Sequence, residues 1–271
     1  MSWLVAGAWG LFGAAVAVAG AALWHHGRWQ AYHRFKGRTV EASGWAVLAA
    51  EAMDSLRLTA FFARSVGRDG WLEPAEASGR PVLCVHGYTQ NGTNFWGIRQ
   101  ELLAMGRPSR SVSMVPGVAS MRWYADKLER TLEHEVSQRA EAIDVVCHSM
   151  GGVVLRMVLA RREDLRARVA SAVTLGSPHA GTAAARGIPW LPEVQALKRR
   201  SSLLQGLPPL SALVPKVVTI AGTLDTIVYP LESALEAGAQ HVVLPVGHAG
   251  LLTAQPAMQA VVAAVADGAR R

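Results

Sequence analysis

Along this chain, short unbroken apolar runs alternate with longer stretches in which apolar residues recur every three or four positions. The runs cover 81–86, 111–115, 143–147, 169–175, 216–221 and 241–246. A strand that is apolar at every position suits burial on both faces, as in a parallel sheet. The intervening stretches 95–105, 123–140, 153–161 and 251–266 carry helical spacing. Strand followed by helix, repeated, predicts βαβ crossovers and an α/β fold whose central sheet is mostly parallel and flanked by helices. Before this block, 39–66 places Trp45, Leu48, Ala49, Ala52, Met53, Leu56 and Ala60 at helical intervals, predicting one or two amphipathic helices. Phe61 and Phe62 near its end are expected to cover part of the core. Residues 67–80, with Gly, Glu and Pro, read as a linker. No internal repeat is visible.

The first residues follow a different pattern. From Trp3 to Trp24 there is no charged residue, only an Ala-, Val- and Gly-rich run. At about 1.5 Å per residue it reaches roughly 33 Å, the thickness of a bilayer's hydrocarbon core. Trp3 and Trp24 stand at its ends, where indoles favour the interface. The competing reading, a cleaved signal peptide, needs basic residues ahead of the run, and only Met1 and Ser2 precede it. Arg28, Arg34, Lys36 and Arg38 follow it instead. The expectation is a single-pass N-terminal transmembrane anchor, with the positive flank favouring a cytoplasmic catalytic part; a periplasmic or secreted placement is the alternative. The chain then divides into 1–38 (anchor and basic juxtamembrane segment), 39–80 (helical segment and linker) and 81–271 (catalytic domain).

Composition narrows the partners. The chain has 271 residues, 51% hydrophobic and 17% charged, with a formal charge of +7. The basic balance, without a basic-aromatic stripe, points to an anionic membrane surface rather than to nucleic acid. Cys84 and Cys147 each lie inside an apolar run, so both read as small core residues. Two thiols make no disulfide framework, and no Cys/His spacing suits zinc.

The chemistry centres on Cys147-His148-Ser149-Met150-Gly151-Gly152, where an apolar run ends and a helical pattern begins. Strand, sharp turn and helix is the geometry that lifts a serine hydroxyl out of a sheet. The crowded turn demands small residues two places either side of the serine; Gly151 meets this, and Cys147 stands where glycine is usual. A serine hydroxyl needs a base, and the base an orienting carboxylate. Only three histidines lie downstream. His179 follows the fourth strand, and His241 opens the sixth at the wrong end. His248, between Gly247 and Ala249 just past the sixth strand, is placed to act as base. Asp225, directly after the fifth strand, is the orienting acid, and otherwise an Asx-turn residue. Glu232 and Glu236 are fallback acids that read as solvated. For the oxyanion, the Met150 N–H and the Tyr88 N–H of the His86-Gly87-Tyr88 loop are the candidate donors.

These strings, together with Leu175-Gly176-Ser177-Pro178-His179-Ala180-Gly181-Thr182 and Gly247-His248, resemble the bacterial triacylglycerol lipase/esterase branch of the α/β-hydrolase family over residues 80–266. The resemblance implies the α/β-hydrolase fold and serine-dependent hydrolysis of acyl esters or lipids through an acyl-enzyme, with no cofactor and no metal. It also implies a lid or cap between the fourth and fifth strands. Residues 183–215 fit one, with Ile188, Trp190, Leu191, Leu203, Leu204 and Leu207 around Lys198-Arg199-Arg200; a helix packed statically over the sheet edge is the other reading. Two departures stand out: Cys147 at the elbow, and an N-terminal anchor unlike that of secreted lipases. A thioesterase or acyltransferase could use the same three residues, and a catalytically inactive, membrane-tethered binding protein is the reading from another class.

Overall fold

The four inner strands are buried on both pleat faces, whereas the edge strands are polar or largely exposed, and the architecture follows from covering the inner ones. A computed structural model describes residues 27, 29–30, 44–65, 70–114 and 119–266. Six strands form one parallel sheet: β1 (Val82–Val85), β2 (Ser109–Val112), β3 (Ile143–His148), β4 (Val169–Leu175), β5 (Lys216–Gly222) and β6 (Gln240–Leu244). Their order is β2-β1-β3-β4-β5-β6. The helices in chain order are α1 (Gly44–Ser65), α2 (Trp96–Ala104), α3 (Met121–Ser137), α4 (Met150–Arg161), α5 (Glu163–Arg166), α6 (Pro192–Ala196), α7 (Ser202–Gly206), α8 (Gly250–Thr253) and α9 (Gln255–Ala266).

Alternate residues of β1 serve opposite layers. Leu83 and Val85 join a core built with α3 and α4, through Tyr124, Leu128, Leu132, Val153, Val154 and Val158. Val82 and Cys84 join a second core with Ile98 and Leu102 of α2 and Met258, Val261 and Val265 of α9. The chain thus leaves β1 on one face and β3 on the other. The crevice above the carboxyl ends of these adjacent strands is a topological switch point, the usual ligand site of such sheets. α3 forms because Ser120 caps it, accepting the Trp123 N–H at 3.2 Å. Its buried stripe, Met121, Tyr124, Ala125, Leu128, Leu132 and Val136, keeps helical spacing.

Several boundaries differ from the apolar pattern. β2 begins at Ser109, earlier than its first apolar residue, because Ser109 pairs with Val82 of β1; Ser109 and Leu72 also exchange backbone hydrogen bonds of 2.8 and 3.0 Å. That bridge ties Leu72, in the stretch expected to be a linker, to the edge of the sheet. The helix behind the elbow starts at Met150, with Ser149 as its cap residue. The last helix is broken at Ala254, whose backbone is extended, just ahead of Pro256, which has no N–H to give a continuous helix. Phe61 of α1 lies against Gly97 of α2, so that aromatic does cover the core. The apolar run 3–24 lies outside the described residues, and among those described no helix is long and apolar enough to cross a membrane.

A charged cluster closes the amino end of the sheet. Asp144 on β3 is fully buried and accepts from Arg107 at 2.6 Å, from Ser171 at 2.6 Å and from Arg80 at 3.2 Å. The Arg107 side chain is also fully buried. Removing one partner of such a pair leaves the other charge unmatched in a dry site. Asp144→Ala should therefore cost about 3–5 kcal/mol, read as a lowered denaturant midpoint.

Candidate active site

Ser149 ends β3 with φ 54° and ψ −126°, a positive φ at a residue with a side chain. Such a conformation costs on the order of 1–3 kcal/mol and persists only where its surroundings hold it. Here they do. The Ser149 N–H donates to Leu175 O on β4 at 2.8 Å. Gly151 turns against the end of β1, where an added Cβ would fall 2.6 Å from Val85 O and 2.9 Å from His86 O. Gly152 packs on the Ser177 side chain with equally little room. Cys147 replaces the other small residue of the turn and is fully buried. Burial pushes its thiol pKa well up, and raises that of Cys84 to about 12, so both are protonated core residues, as their setting in apolar runs predicts.

Asp225 and His248 meet as the chain order predicts. His248 Nδ1 lies 2.7 Å from Asp225 Oδ2, and both residues are buried. Asp225 Oδ1 accepts the N–H groups of Ile227 and Val228 at 2.8 and 2.7 Å. The Asx turn and the orienting contact are thus one arrangement, with one oxygen for each. Burial opposes charge on His248. The Asp225 carboxylate, its hydrogen bond and the Glu51 carboxylate outweigh that, and the imidazole pKa is raised above 6.5. Gly176, directly after Leu175, is the meeting point. A Cβ there would lie 3.0 Å from Asp225 Oδ2 and 3.2 Å from His248 Nδ1. Ser149, Asp225 and His248 therefore converge around the carboxyl end of β4. Ser149 Oγ makes no hydrogen bond among the described residues.

The loop after β1 abuts the elbow: a Cβ on Gly87 would fall 2.7 Å from Ser149 Cβ. His86 fastens this loop. Its Nε2 accepts the Met114 N–H at 2.8 Å, which puts the ring proton on Nδ1, 2.7 Å from Gly87 O. Burial lowers its pKa to about 4, so it stays neutral. The Gly87 N–H is taken by Gln90 Oε1 at 2.9 Å. No hydrogen bond occupies the Tyr88 or Met150 N–H among the described residues. Met150 is the first residue of α4, whose amino end favours negative charge. Its side chain is in the core and its N–H at the elbow.

Three residues near the site escaped the sequence reading. Gln90 Oε1 also lies 2.9 Å from His148 Nδ1, joining the β1 loop to the elbow. His148 Nε2 is 3.2 Å from His248 O, and the two rings are 4.6 Å apart. Burial first, and the neighbouring His248, hold the His148 pKa well below 6.5. Glu51 of α1 accepts the His248 N–H at 2.8 Å. Its carboxyl pKa is pushed up to about 7 by burial and by the Asp225 charge. The only sequence sign was two acids, Glu51 and Asp54, one turn apart in an apolar helix. Glu236, expected to be solvated, is buried instead. It accepts the Leu210 and Ser211 N–H groups at 2.9 and 3.3 Å and lies 3.8 Å from Arg156 and 3.5 Å from His179. The His179 Nδ1 faces that cluster without a hydrogen bond, its Nε2 lies 3.0 Å from Thr174 Oγ1, and burial lowers its pKa to about 3. His241 is exposed on β6, bonded to Thr219 at 2.7 Å.

A parallel sheet in this order, with a strained serine between β3 and its helix, is the α/β-hydrolase fold. The chain belongs to the family described as a domain of unknown function, DUF7379, whose model matches residues 46–245. The matched residues include α1 and stop short of His248. No curated protein matches. Among solved structures, the mature lipase BlEst2 of Bacillus licheniformis is 15% identical with a TM-score of 0.59, over 73% of this chain and 98% of that one. Aspergillus fumigatus lipase B is 18% identical with a TM-score of 0.58, over 68% of this chain and 53% of that one, so the chain spans about half its length. An esterase from Thermogutta terrifontis is 18% identical with a TM-score of 0.51, over 74% and 94%. At these identities the likeness is one of fold.

Proposed function

We propose that the protein is a serine carboxylic-ester hydrolase acting on lipid or other acyl esters. The observation that carries this reading is the 2.7 Å contact of His248 Nδ1 with Asp225 Oδ2, beside a serine held at positive φ. With Nδ1–H given to Asp225, His248 Nε2 is left to take the Ser149 proton as Oγ attacks the acyl carbon. The oxyanion is stabilised by the Met150 and Tyr88 N–H groups. The imidazolium then protonates the departing alcohol, leaving an acyl-Ser149, and a water activated by the same nitrogen releases the acid. The solved lipases and esterases of the same fold support the class of reaction.

In this reading the acyl chain lies under residues 183–215, where Ala196, Leu203 and Leu207 are partly buried against the same apolar core as Tyr88 and Trp123. Trp190 of the same segment is 71% exposed, suited to a lipid or acyl surface. Attachment through the apolar run 3–24 completes the proposal. Full-length protein should stay in the pelleted membranes after an alkaline carbonate wash, and release into the supernatant contradicts an anchor.

A fluorophosphonate probe tests the chemistry. Labelling should fall on Ser149, vanish in Ser149→Ala, and accompany turnover of p-nitrophenyl esters that the variant loses by about 10⁴-fold or more. Faster turnover of acyl-CoA than of oxygen esters favours a thioesterase.

The pH dependence follows from the raised His248 pKa. The base works only when neutral, so kcat/KM should fall as pH drops through a midpoint above 6.5. Asp225→Asn removes an anion that raises this pKa. Its activity, lower by about 10³–10⁴-fold, should show an acid limb displaced to lower pH.

A further inference from the structure

α1 brings two carboxylates, one helical turn apart, onto the loop that carries His248. Glu51 Oε1 accepts the His248 N–H at 2.8 Å, from a position 197 residues earlier in the chain. Asp54 Oδ1 accepts the Thr253 hydroxyl at 2.7 Å and the Arg57 guanidinium at 2.8 Å. The loop is shaped to receive them. A Cβ on Gly247 would collide with the Glu51 carboxylate, and one on Gly250 would lie 2.8 Å from Asp54 Oδ2. The His248 N–H stands one residue ahead of Ala249, the cap residue of α8, outside the helix and without a helical carbonyl to accept it. Glu51 Oε1 fills that need as the acceptor. On its other side Glu51 senses the Asp225 and His248 charges, so it belongs electrostatically to the same cluster. The His248 ring and backbone are therefore held by different elements: Asp225 after β5 holds the imidazole, and α1 holds the main chain.

We propose that Glu51 is a positioning residue for the general base, fixing the His248 backbone so that its ring can serve both Asp225 and Ser149, and that docking of α1 is thereby a condition for full activity. This rests on the ester-hydrolase reading of the site. Glu51 acts through His248 and touches no substrate. Its bond is to a backbone atom, so the requirement is for a correctly placed oxygen acceptor at 51.

The test compares full-length wild type, Glu51→Gln, Glu51→Ala and Gly247→Ala by p-nitrophenyl butyrate kinetics and by NMR hydrogen exchange of the His248 amide. Glu51→Ala should lower kcat about tenfold with KM nearly unchanged, and speed His248 N–H exchange by a similar factor. Glu51→Gln keeps an oxygen acceptor and should recover most of both. Gly247→Ala should lower kcat in the wild-type background and add little in Glu51→Ala, where the space is already free. Unchanged kcat in folded Glu51→Ala, a loss confined to KM, or additive effects of the two substitutions overturns the proposal. Should Glu51→Ala not fold, Glu51→Asp, which draws the carboxylate back by one methylene, is read the same way. If wild type labels with no fluorophosphonate and cleaves no ester, the function reading fails. The exchange measurement then still decides the hold on His248: protection lost in the variant supports it, and protection retained overturns it.

Discussion

The backbone at Ser149 is the constraint on which the rest depends. A serine at φ 54° is stable only because neighbours on three sides leave it no other course. The bond from Ser149 N–H to Leu175 O draws the elbow towards β4. Gly151 lets α4 start within van der Waals reach of the β1 carbonyls, and Gly87 lets the β1 loop come within reach of the Ser149 side chain. Each approach requires β1, β3 and β4 to be adjacent, which the order β2-β1-β3-β4-β5-β6 provides. The two apolar layers that bury the strands thus sustain the strain. The resulting turn exposes one hydroxyl beside the amino end of a twelve-residue helix.

Around this turn several buried polar groups find partners, while Ser177 Oγ, Tyr88 OH and His179 Nδ1 have none among the described residues. Burial keeps His86 neutral, with the Met114 N–H on one nitrogen and Gly87 O accepting from the other. His148 lies between Gln90 Oε1 and the His248 carbonyl, and as a neutral ring it donates its one N–H to one of these two oxygens. Arg156, Glu236 and His179 form a separate cluster, and its hydrogen bonds to Leu207, Pro208 and Leu210 fasten the far end of the 183–215 segment to the body. Of these imidazoles, only His248 is raised in pKa, because only it has carboxylates beside the ring strong enough to outweigh burial.

Much of the fold was legible in the chain, and for identifiable reasons. Strands buried on both faces show as unbroken apolar runs, so β1, β3, β4 and β5 stand out. β2 was misplaced because Ser109, Arg110 and Ser111 are polar; the strand is specified by pairing with Val82 to Cys84 rather than by its own composition. Glu236 was misjudged because its neighbours suggest an exposed helix, whereas the charge that makes its burial tolerable, Arg156, comes from α4.

By itself the sequence determined the elements, the elbow and the order of Ser149, Asp225 and His248, since each rests on local spacing: small residues at a turn, an acid and a histidine directly after strands. Only the tertiary structure decided which groups surround them. Gln90, His148 and above all Glu51 act through contacts that span up to 197 residues, and no local pattern encodes a distance of that kind. Two acids in an apolar helix look like a solvated face until that helix is packed on a loop whose glycines leave room for their carboxylates alone.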